Sequence, residues 1–290
     1  MGKDSLTRFI FENIAVRGMI IQLDHSWKQL QSRKSYPQAV RNILGEFAAA
    51  NALLAATLKF DGLLTIQIRG NGPINLIVSE CTSQRQIRGL AKHDATIPHG
   101  DLHTLFGDGQ LTITVDNARA NERYQGIVEL EGNKISHALE NYLLRSEQLD
   151  TKLILAVDEN RACGLLVQRL PCADKVTEDD WFRITQLADT LQDQELFSLD
   201  AQDIIYRLYN EDTIRLLGED HYQFQCSCNR TRVANMLVTL GIDEIRSIIE
   251  EQGAISIDCE FCNQHYKFDA VDAEQLFATD IHHSPPPTKH

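Results

Sequence analysis

Apolar residues recur with two different periods along the first part of the chain. Residues 36–59 are rich in Ala, Leu and Glu at helical spacing, which predicts a long helix. Apolar and polar side chains then alternate over residues 64–68, and a turn at residues 70–73 separates this run from the next. Other patterned segments are the expected strands 14–23, 74–78, 111–115, 124–130, 153–157 and 165–169 and the expected helix 137–147. The pattern predicts an α+β protein, with a mixed α/β domain over residues 1–176 that has a largely antiparallel or mixed sheet.

The next segment, residues 177–220, combines helical apolar spacing with acidic polar faces. Two apolar faces stand out, and their members are Trp181, Ile184, Leu187 and Leu191, then Ile204, Ile205, Leu208 and Tyr209. Asp200 can cap the second helix, and Gly218 stands where a helix would end. Residues 174–220 hold 13 acidic and 4 basic groups, and like-charge repulsion opposes compact packing. We predict a helical linker of limited stability, with an ordinary pair of surface helices as the alternative.

A small α+β domain is expected over residues 221–280. Its apolar patterns predict two short helices at residues 232–240 and 242–251, a strand at 254–257 and a second strand through Tyr266 and Phe268. A core of this size is marginal, so a bound metal would supply stability that packing lacks. Residues 281–290 include three consecutive prolines and little to bury, which predicts a disordered tail.

Composition and charge narrow the class of protein and its partners. No apolar run reaches the roughly 18 residues of a membrane span, and the N-terminus lacks the pattern of a secretory signal, which predicts a cytoplasmic protein without a membrane partner. The net charge is -13, and residues 221–290 hold 5 basic and 10 acidic groups. Binding to nucleic acid phosphates requires clustered Lys and Arg, so a nucleic acid partner is not expected.

Four of the seven cysteines form two closely spaced pairs. Cys226 and Cys228 make a CxC pair, and thirty residues later Cys259 and Cys262 make a CxxC pair. Two such pairs can surround one tetrahedral ion, and four soft thiolates favour zinc while leaving no open position for a reacting water. His221 or His265 could replace one sulfur as a ligand. A purely structural zinc ribbon is the simplest alternative.

The same four sulfurs can also act as a redox switch. Thiolates are the species that oxidants attack, and each cysteine has a partner two or three residues away. Oxidation could therefore close Cys226 with Cys228 and Cys259 with Cys262 while releasing the ion. The binding energy of a metal in a small module is largely folding energy, so the domain should unfold when the ion leaves.

The remaining candidate residues lack a motif. Cys81, Cys163 and Cys172 stand apart, and Cys163 has the apolar neighbours of a buried residue. His99, Asp101 and His103 could chelate a metal, but a turn with exposed histidines is the preferred interpretation, and the roles of these cysteines and this loop stay open. The sequence has no GxSxG, HExxH, phosphate-loop or dinucleotide-binding motif, so we do not expect an enzyme.

Several long segments resemble the redox-regulated 33-kDa heat-shock chaperone family of bacteria. The resemblance runs through RFIFENIAVRG at residues 8–18, RKSYPQAV at 33–40, LGEFAAANALLAATLKFDGLLTIQIRGNGP at 44–73 and the CSC and CEFC pairs. It implies an ATP-independent holdase that is inactive when reduced and bound to one zinc ion. It further implies zinc ligation by the four paired cysteines, activation by oxidants together with unfolding stress, and a homodimer in the oxidised form.

Pattern and resemblance together predict a chaperone for unfolding client proteins. On this hypothesis, loss of zinc unfolds the C-terminal domain and destabilises the linker, which exposes apolar client-binding residues. These are Trp181, Phe182, Leu187, Leu191, Ile204 and Ile205. Two alternatives remain: a zinc-ribbon module that binds nucleic acid or another partner in stress control, and a thiol-disulfide oxidoreductase that uses the CxxC pair.

Overall fold

The computed structural model describes residues 4–117, 122–171 and 176–278. The chain divides into two compact units, Met1–Gln225 and Cys226–His290. The four-part division expected from the sequence stays a prediction, and residues 177–220 belong to the first unit. Cys172 and the expected tail at residues 281–290 lie outside the described residues. No described helix is both long enough and apolar enough to span a bilayer.

The first unit is built on two sheets. Its strands are β1 Ser5–Phe11, β2 Val16–Leu23, β3 Gly62–Arg69, β4 Ile74–Thr82, β5 Gln86–His93, β6 Gln110–Asn117, β7 Glu122–Glu129, β8 Thr151–Val157, β9 Ala162–Arg169, β10 Ile214–His221 and β11 Gln223–Phe224. One sheet has the order β10-β1-β2-β9-β8 with antiparallel neighbours throughout. The other has the order β11-β5-β4-β3-β6-β7, in which the short β11 runs parallel to β5. The predicted α+β class with an antiparallel or mixed sheet is confirmed.

The helices of the first unit lie against these sheets. They are α1 His25–Ser32, α2 Gln38–Thr57, α3 Leu102–Phe106, α4 Ile135–Glu147, α5 Glu178–Asp189, α6 Asp193–Ser198 and α7 Ala201–Tyr209. Helix α2 packs against strands of both sheets, and its run of buried alanines lets them approach closely. Inside this core, Asn51 donates to the Leu64 carbonyl and to Ser79 Oγ. The long helix and the β3–β4 hairpin expected from the sequence are both present.

The two strands β2 and β9 in the middle of the five-stranded sheet are buried on both faces. Successive residues of a strand point to opposite faces, so Ile21 and Leu166 join the core around α2, while Ile20 and Leu165 face α5, α6 and α7. The three helices share that second core, which explains why β9 is apolar almost throughout. The helices of the acidic segment, residues 177–220, therefore pack their apolar sides against the sheet in this state.

The predicted helical pattern up to Gly218 is wrong at its end. Helix α7 stops at Tyr209, and β10 then pairs with β1 at the edge of the sheet. Gly218 lies within this strand at φ +120, beside a shift in register between Arg8 and Phe9. A glycine is required there because other residues rarely adopt a positive φ.

The second unit is a small α+β module. Its elements are α8 Arg230–Val238, α9 Ile242–Gln252, β12 Ile255–Asp258, β13 His265–Phe268 and α10 Ala270–Ala278. Strands β12 and β13 form an antiparallel hairpin, and the helices pack beside it. The buried apolar core among its described residues has six members: Ala234, Leu237, Ile245, Ile255, Phe268 and Ala273.

Candidate metal centre

The first cysteine pair lies on the short connection that precedes α8. On one side, Gln225 donates its backbone N–H to the Ile87 carbonyl, within the first unit. On the other side, the Asn229 side chain accepts from the Arg232 N–H and caps α8. Arg232 also donates to Ser227 Oγ at 2.8 Å, between the two cysteines. The bonds of Arg232 to Asn229 and Ser227 therefore hold the segment that carries Cys228.

The second cysteine pair lies in the tight turn that joins β12 to β13. Cys259 donates its N–H to the Gln264 carbonyl at 3.0 Å, and Asn263 donates to the Cys259 carbonyl at 2.8 Å. Asn263 has φ +53, a left-handed conformation that asparagine tolerates well. This turn brings Cys262 back beside Cys259, so both sulfurs point to one side of the hairpin end.

The four sulfur atoms lie within 4.8 Å of one another. The shortest approaches cross between the pairs, at 3.6 Å from Cys226 Sγ to Cys259 Sγ and at 3.3 Å from Cys228 Sγ to Cys262 Sγ. A tetrahedral zinc site with sulfur at about 2.3 Å places its sulfurs about 3.8 Å apart. The observed spacing fits such a site, so these residues could hold one metal ion. All four side chains are partly buried.

The electrostatics of this cluster favour a bound cation. Burial raises the pKa of the Cys259 and Cys262 thiols, and neighbouring cysteines add to the effect at Cys262. Backbone N–H groups of Phe261 and Cys262 oppose the rise at Cys259, and the Gln264 N–H does so at Cys262. Four negative sulfurs at this spacing repel one another, and a divalent ion removes that repulsion.

A tyrosine that sequence reasoning missed completes the site. Tyr266 of β13 donates its hydroxyl to Cys228 Sγ at 3.2 Å. This hydrogen bond is the main reason that the pKa of Tyr266 is raised to about 12. The spacing of four residues from Cys262 gives no signal by itself, because the contact depends on the register of the hairpin.

The other candidate ligands lie outside the cluster. His265 pairs through Nδ1 with Asp258 at 2.8 Å, across the hairpin, and His221 is exposed on β10. Asp101 accepts from the Thr104 N–H and caps α3, as expected for a turn, and the described residues offer no metal cluster that includes Asp101, His99 or His103. Cys81 and Cys163 are fully buried in the first unit.

The six residues predicted to bind clients are mostly covered by the first unit. Leu191, Ile204 and Ile205 are buried in the core between the helices and the five-stranded sheet, while Trp181 and Leu187 are partly buried beside it. Phe182 is the exception, with 65% of its surface exposed. These apolar faces are therefore largely unavailable in this state.

Fold and site together define a class of protein. It is an α+β protein of two units, and its small C-terminal module carries four clustered cysteines that could hold a metal ion. The family model described as "Hsp33 protein" matches residues 4–269. The chain belongs to the Hsp33 family.

Individual relatives agree with this assignment over nearly the whole chain. A "33 kDa chaperonin" of Nitrosococcus oceani is 44% identical over 288 residues, covering 99% of both chains. A "33 kDa chaperonin" of Methylobacillus flagellatus is 47% identical over 280 residues, covering 96% of both. The crystal structure of the 33 kDa chaperonin (HSP33) of Thermotoga maritima has the same fold, with a TM-score of 0.84 at 22% identity, over 96% of this chain and 99% of that one.

Proposed function

We propose that this chain is a redox-regulated, ATP-independent chaperone that holds unfolding proteins in the cytoplasm. Its relatives are named as chaperonins, which supports the chaperone class. Redox regulation is supported by one observation: the four sulfurs of two closely spaced cysteine pairs lie within 4.8 Å of one another. The module that carries them has a very small apolar core. A module of this kind depends on its site for stability.

Zinc is the metal that best suits the site. Four thiolates at tetrahedral spacing favour zinc over harder ions, and the four sulfurs complete its coordination. The ion when bound would supply folding free energy to the module and hold all four cysteines as thiolates. We assign Cys226, Cys228, Cys259 and Cys262 as its ligands in the reduced form.

Oxidation by peroxide would convert the same cysteines into two disulfides. A thiolate attacks one peroxide oxygen, so the S–O bond forms, the O–O bond breaks and the second oxygen leaves as water after taking a proton. The neighbouring thiol then attacks the sulfenic sulfur, forms the S–S bond and releases a second water. Each disulfide consumes one peroxide, which accepts the two electrons that the sulfurs lose.

We place the disulfides within the pairs, Cys226 with Cys228 and Cys259 with Cys262, although the shortest sulfur approaches cross between them. The cross-pair approaches exist only while the module is folded. Once the ligands leave the ion the module loses its fold, and residues two or three apart remain close because closing a short loop costs least.

Unfolding of the module would then weaken the packing of the acidic helical segment. Its apolar residues, now mostly covered, would become available to unfolded clients, and the acidic faces would keep the complex soluble. The client-binding residues that we propose are Trp181, Phe182, Leu187, Leu191, Ile204 and Ile205. A homodimer of the oxidised form remains part of the proposal through the family resemblance alone.

Neither alternative function has a supporting feature among the residues that the structure describes. The CxxC pair lies in a hairpin turn, whereas an oxidoreductase of the thioredoxin type needs it beside a βαβ unit. The second unit is acidic in sequence, which disfavours a nucleic acid partner. We therefore assign neither catalysis nor nucleic acid binding to this chain.

The test is aggregation of a heat-unfolded client, followed by light scattering, with the zinc-loaded reduced chain or the peroxide-treated chain at equal concentration. We expect suppression only after oxidation. The double variant Cys259→Ala/Cys262→Ala should lose zinc and the response to peroxide, whereas Cys163→Ala, a buried cysteine outside the cluster, should keep both. Equal suppression by the two redox forms of the unmodified chain would make the site structural and reject the switch.

A further inference from the structure

The four sulfurs differ in how their hydrogen-bond donors are supplied. Cys259 and Cys262 accept from backbone N–H groups of the turn that carries them. Cys228 accepts from a side chain, the hydroxyl of Tyr266, which lies on the strand that follows the other cysteine pair. The donor to this sulfur can therefore be removed by substitution, while the donors to the CxxC pair cannot.

Tyr266 is held in place independently of the sulfur. It pairs with Ile257 across the β12–β13 hairpin, and its ring packs against the apolar core of the module. At the next buried position of the strand, Phe268 is covered by the Arg230 guanidinium at 4.2 Å from the ring centre. A hydroxyl on so fixed a ring points at Cys228 without the loss of entropy that a mobile donor would incur.

A hydroxyl donor has two effects on a thiolate. Hydrogen bonds to charged groups are stronger than those between neutral groups, so the bond holds the sulfur in its ligating position. It also withdraws charge from the sulfur lone pair, which makes the thiolate a weaker nucleophile. Contacts of this kind around metal ligands typically change metal affinity by about 10- to 100-fold.

We propose that Tyr266 is a positioning residue that orients Cys228 for metal binding and slows its attack on peroxide. The proposal rests on the metal-binding and redox parts of the proposed function. The affected step is the first one, in which the Cys228 sulfur forms its bond to a peroxide oxygen, because the Tyr266 hydrogen bond draws charge from the sulfur that supplies the electron pair. Cys226 then displaces the oxygen from Cys228, as described above.

The test compares the full chain with Tyr266→Phe, which removes the hydroxyl and keeps the ring. Zinc affinity, measured by competition with a chromophoric chelator, should fall about tenfold. Zinc release by peroxide should become several-fold faster, because a thiolate that no longer accepts a hydrogen bond is the stronger nucleophile. Tyr206→Phe, on an exposed residue of α7, makes the same chemical change in the first unit and should alter neither value.

Substitution of cobalt(II) for zinc gives an absorption spectrum that reports on the sulfur ligands. A change in packing alone should not shift it. The sulfur-to-cobalt charge-transfer band should shift to lower energy in Tyr266→Phe, because the sulfur loses a hydrogen bond and donates charge more easily. A variant with a lower melting temperature but an unchanged band and an unchanged rate of zinc release would overturn the proposal.

The failures of the two proposals are distinguishable. Absence of zinc and cobalt binding in the unmodified chain would reject the metal site and the role of Tyr266 together. Metal binding without any response to peroxide would reject the redox switch and the rate effect of Tyr266. The cobalt charge-transfer band and the zinc affinity would still decide whether Tyr266 positions Cys228.

Discussion

At the residue scale, the cysteines fall into two chemically different groups. Cys81 and Cys163 are fully buried, and burial raises the pKa of each thiol to about 12. The paired cysteines are partly buried and gathered in one cluster. Because the thiolate is the reactive species, the first group should be inert while the fold is intact.

Alkylation should therefore separate the two groups. At pH 8 a thiol with a pKa of about 12 is ionised to roughly one part in ten thousand. We expect iodoacetamide to modify Cys226, Cys228, Cys259 and Cys262 in the reduced, metal-stripped chain and to leave Cys81 and Cys163 unmodified, as read by peptide mass spectrometry. In denaturant all seven cysteines should react. Modification of Cys163 at the rate of Cys259 would contradict this assignment.

A partly buried carboxylic acid, Glu46, is expected to make the stability of the first unit depend on pH. Burial raises the pKa of Glu46 on α2 to about 7, with Lys134 opposing the rise and Asp193 adding to it. The folded pKa lies above the unfolded value of about 4.3, so the neutral acid favours folding. Its contribution is complete at low pH and is lost as the pH rises through about 7.

Glu46→Gln should remove this dependence. Between pH 4 and pH 8 the unmodified chain should lose unfolding free energy through this group. The upper limit is about 3 kcal/mol, and the partial exposure of the side chain makes the actual loss smaller. Urea unfolding followed by the fluorescence of Trp27 and Trp181 reports the first unit, which contains both tryptophans. Glu122→Gln, at an exposed site, is the control. An equal pH slope in Glu46→Gln and the unmodified chain would exclude Glu46 as its source.

At the element scale, α6 is the shortest helix of the acidic segment, residues 177–220. A six-residue helix is not stable alone, and its last carbonyls have no partner within the helix. Gln22 of β2 donates to the carbonyls of Leu196 and Leu199 at 2.9 and 2.8 Å, and Arg161 donates to the carbonyl of Phe197. Polar side chains of the sheet thus complete this helix end.

Gln22→Leu should loosen α6 without removing its apolar contacts. Two carbonyls lose their donor, which should lower stability by about 1–3 kcal/mol. Hydrogen exchange read by mass spectrometry should become faster over residues 193–199. The control is Gln31→Leu, which makes the same substitution where the accepting carbonyl, that of Glu159, is exposed to solvent. Unchanged exchange over residues 193–199 in Gln22→Leu would show that the Gln22 hydrogen bonds do not stabilise the helix end.

The elements also show how far the sequence alone could lead. Local patterns predicted α2 and the β3–β4 hairpin because periodicity and turn residues lie within one stretch of chain. Strand β10 was missed because its partner β1 is about two hundred residues away and the preceding helices share its apolar content. The cysteine spacing predicted the four-sulfur cluster, whereas Tyr266 depends on hairpin register, which spacing does not encode.

At the scale of the whole molecule, the two units differ greatly in the apolar surface that they bury. The first has extensive cores on both sides of its five-stranded sheet, and the described core of the second has six members. Burial of apolar surface is the main source of folding free energy, so on the proposed function the second unit should need a bound metal for stability and the first should not.

The chain is anchored in the first unit up to Gln225, the residue before the first paired cysteine, Cys226. Asp220 forms ion pairs with Arg8 and Arg85. Tyr222 is buried, and its hydroxyl donates to the Ala52 carbonyl at 3.2 Å. Unfolding that begins in the second unit should therefore stop at residue 225 until this anchor, residues 220–225, is released.

Chelation under reducing conditions tests this anchor. We expect residues 230–277 to lose protection from hydrogen exchange when zinc is removed, while residues 214–224 keep theirs and the tryptophan fluorescence stays unchanged. Tyr222→Phe removes the buried hydrogen bond, weakens the anchor by about 1 kcal/mol and should speed exchange over residues 214–224 in the chelated chain. Tyr206→Phe, on an exposed side chain, should not.

Either result shows how a change at the cysteines would reach the helices that we propose bind clients. Retained protection over residues 214–224 means that loss of the ion alone leaves the acidic helices packed, so a second stress such as heat must release them. Simultaneous loss of protection in both regions of the unmodified chain would mean that the anchor is no barrier. Removal of the ion would then be sufficient to expose the apolar faces. Oxidation would serve only to prevent the ion from binding again.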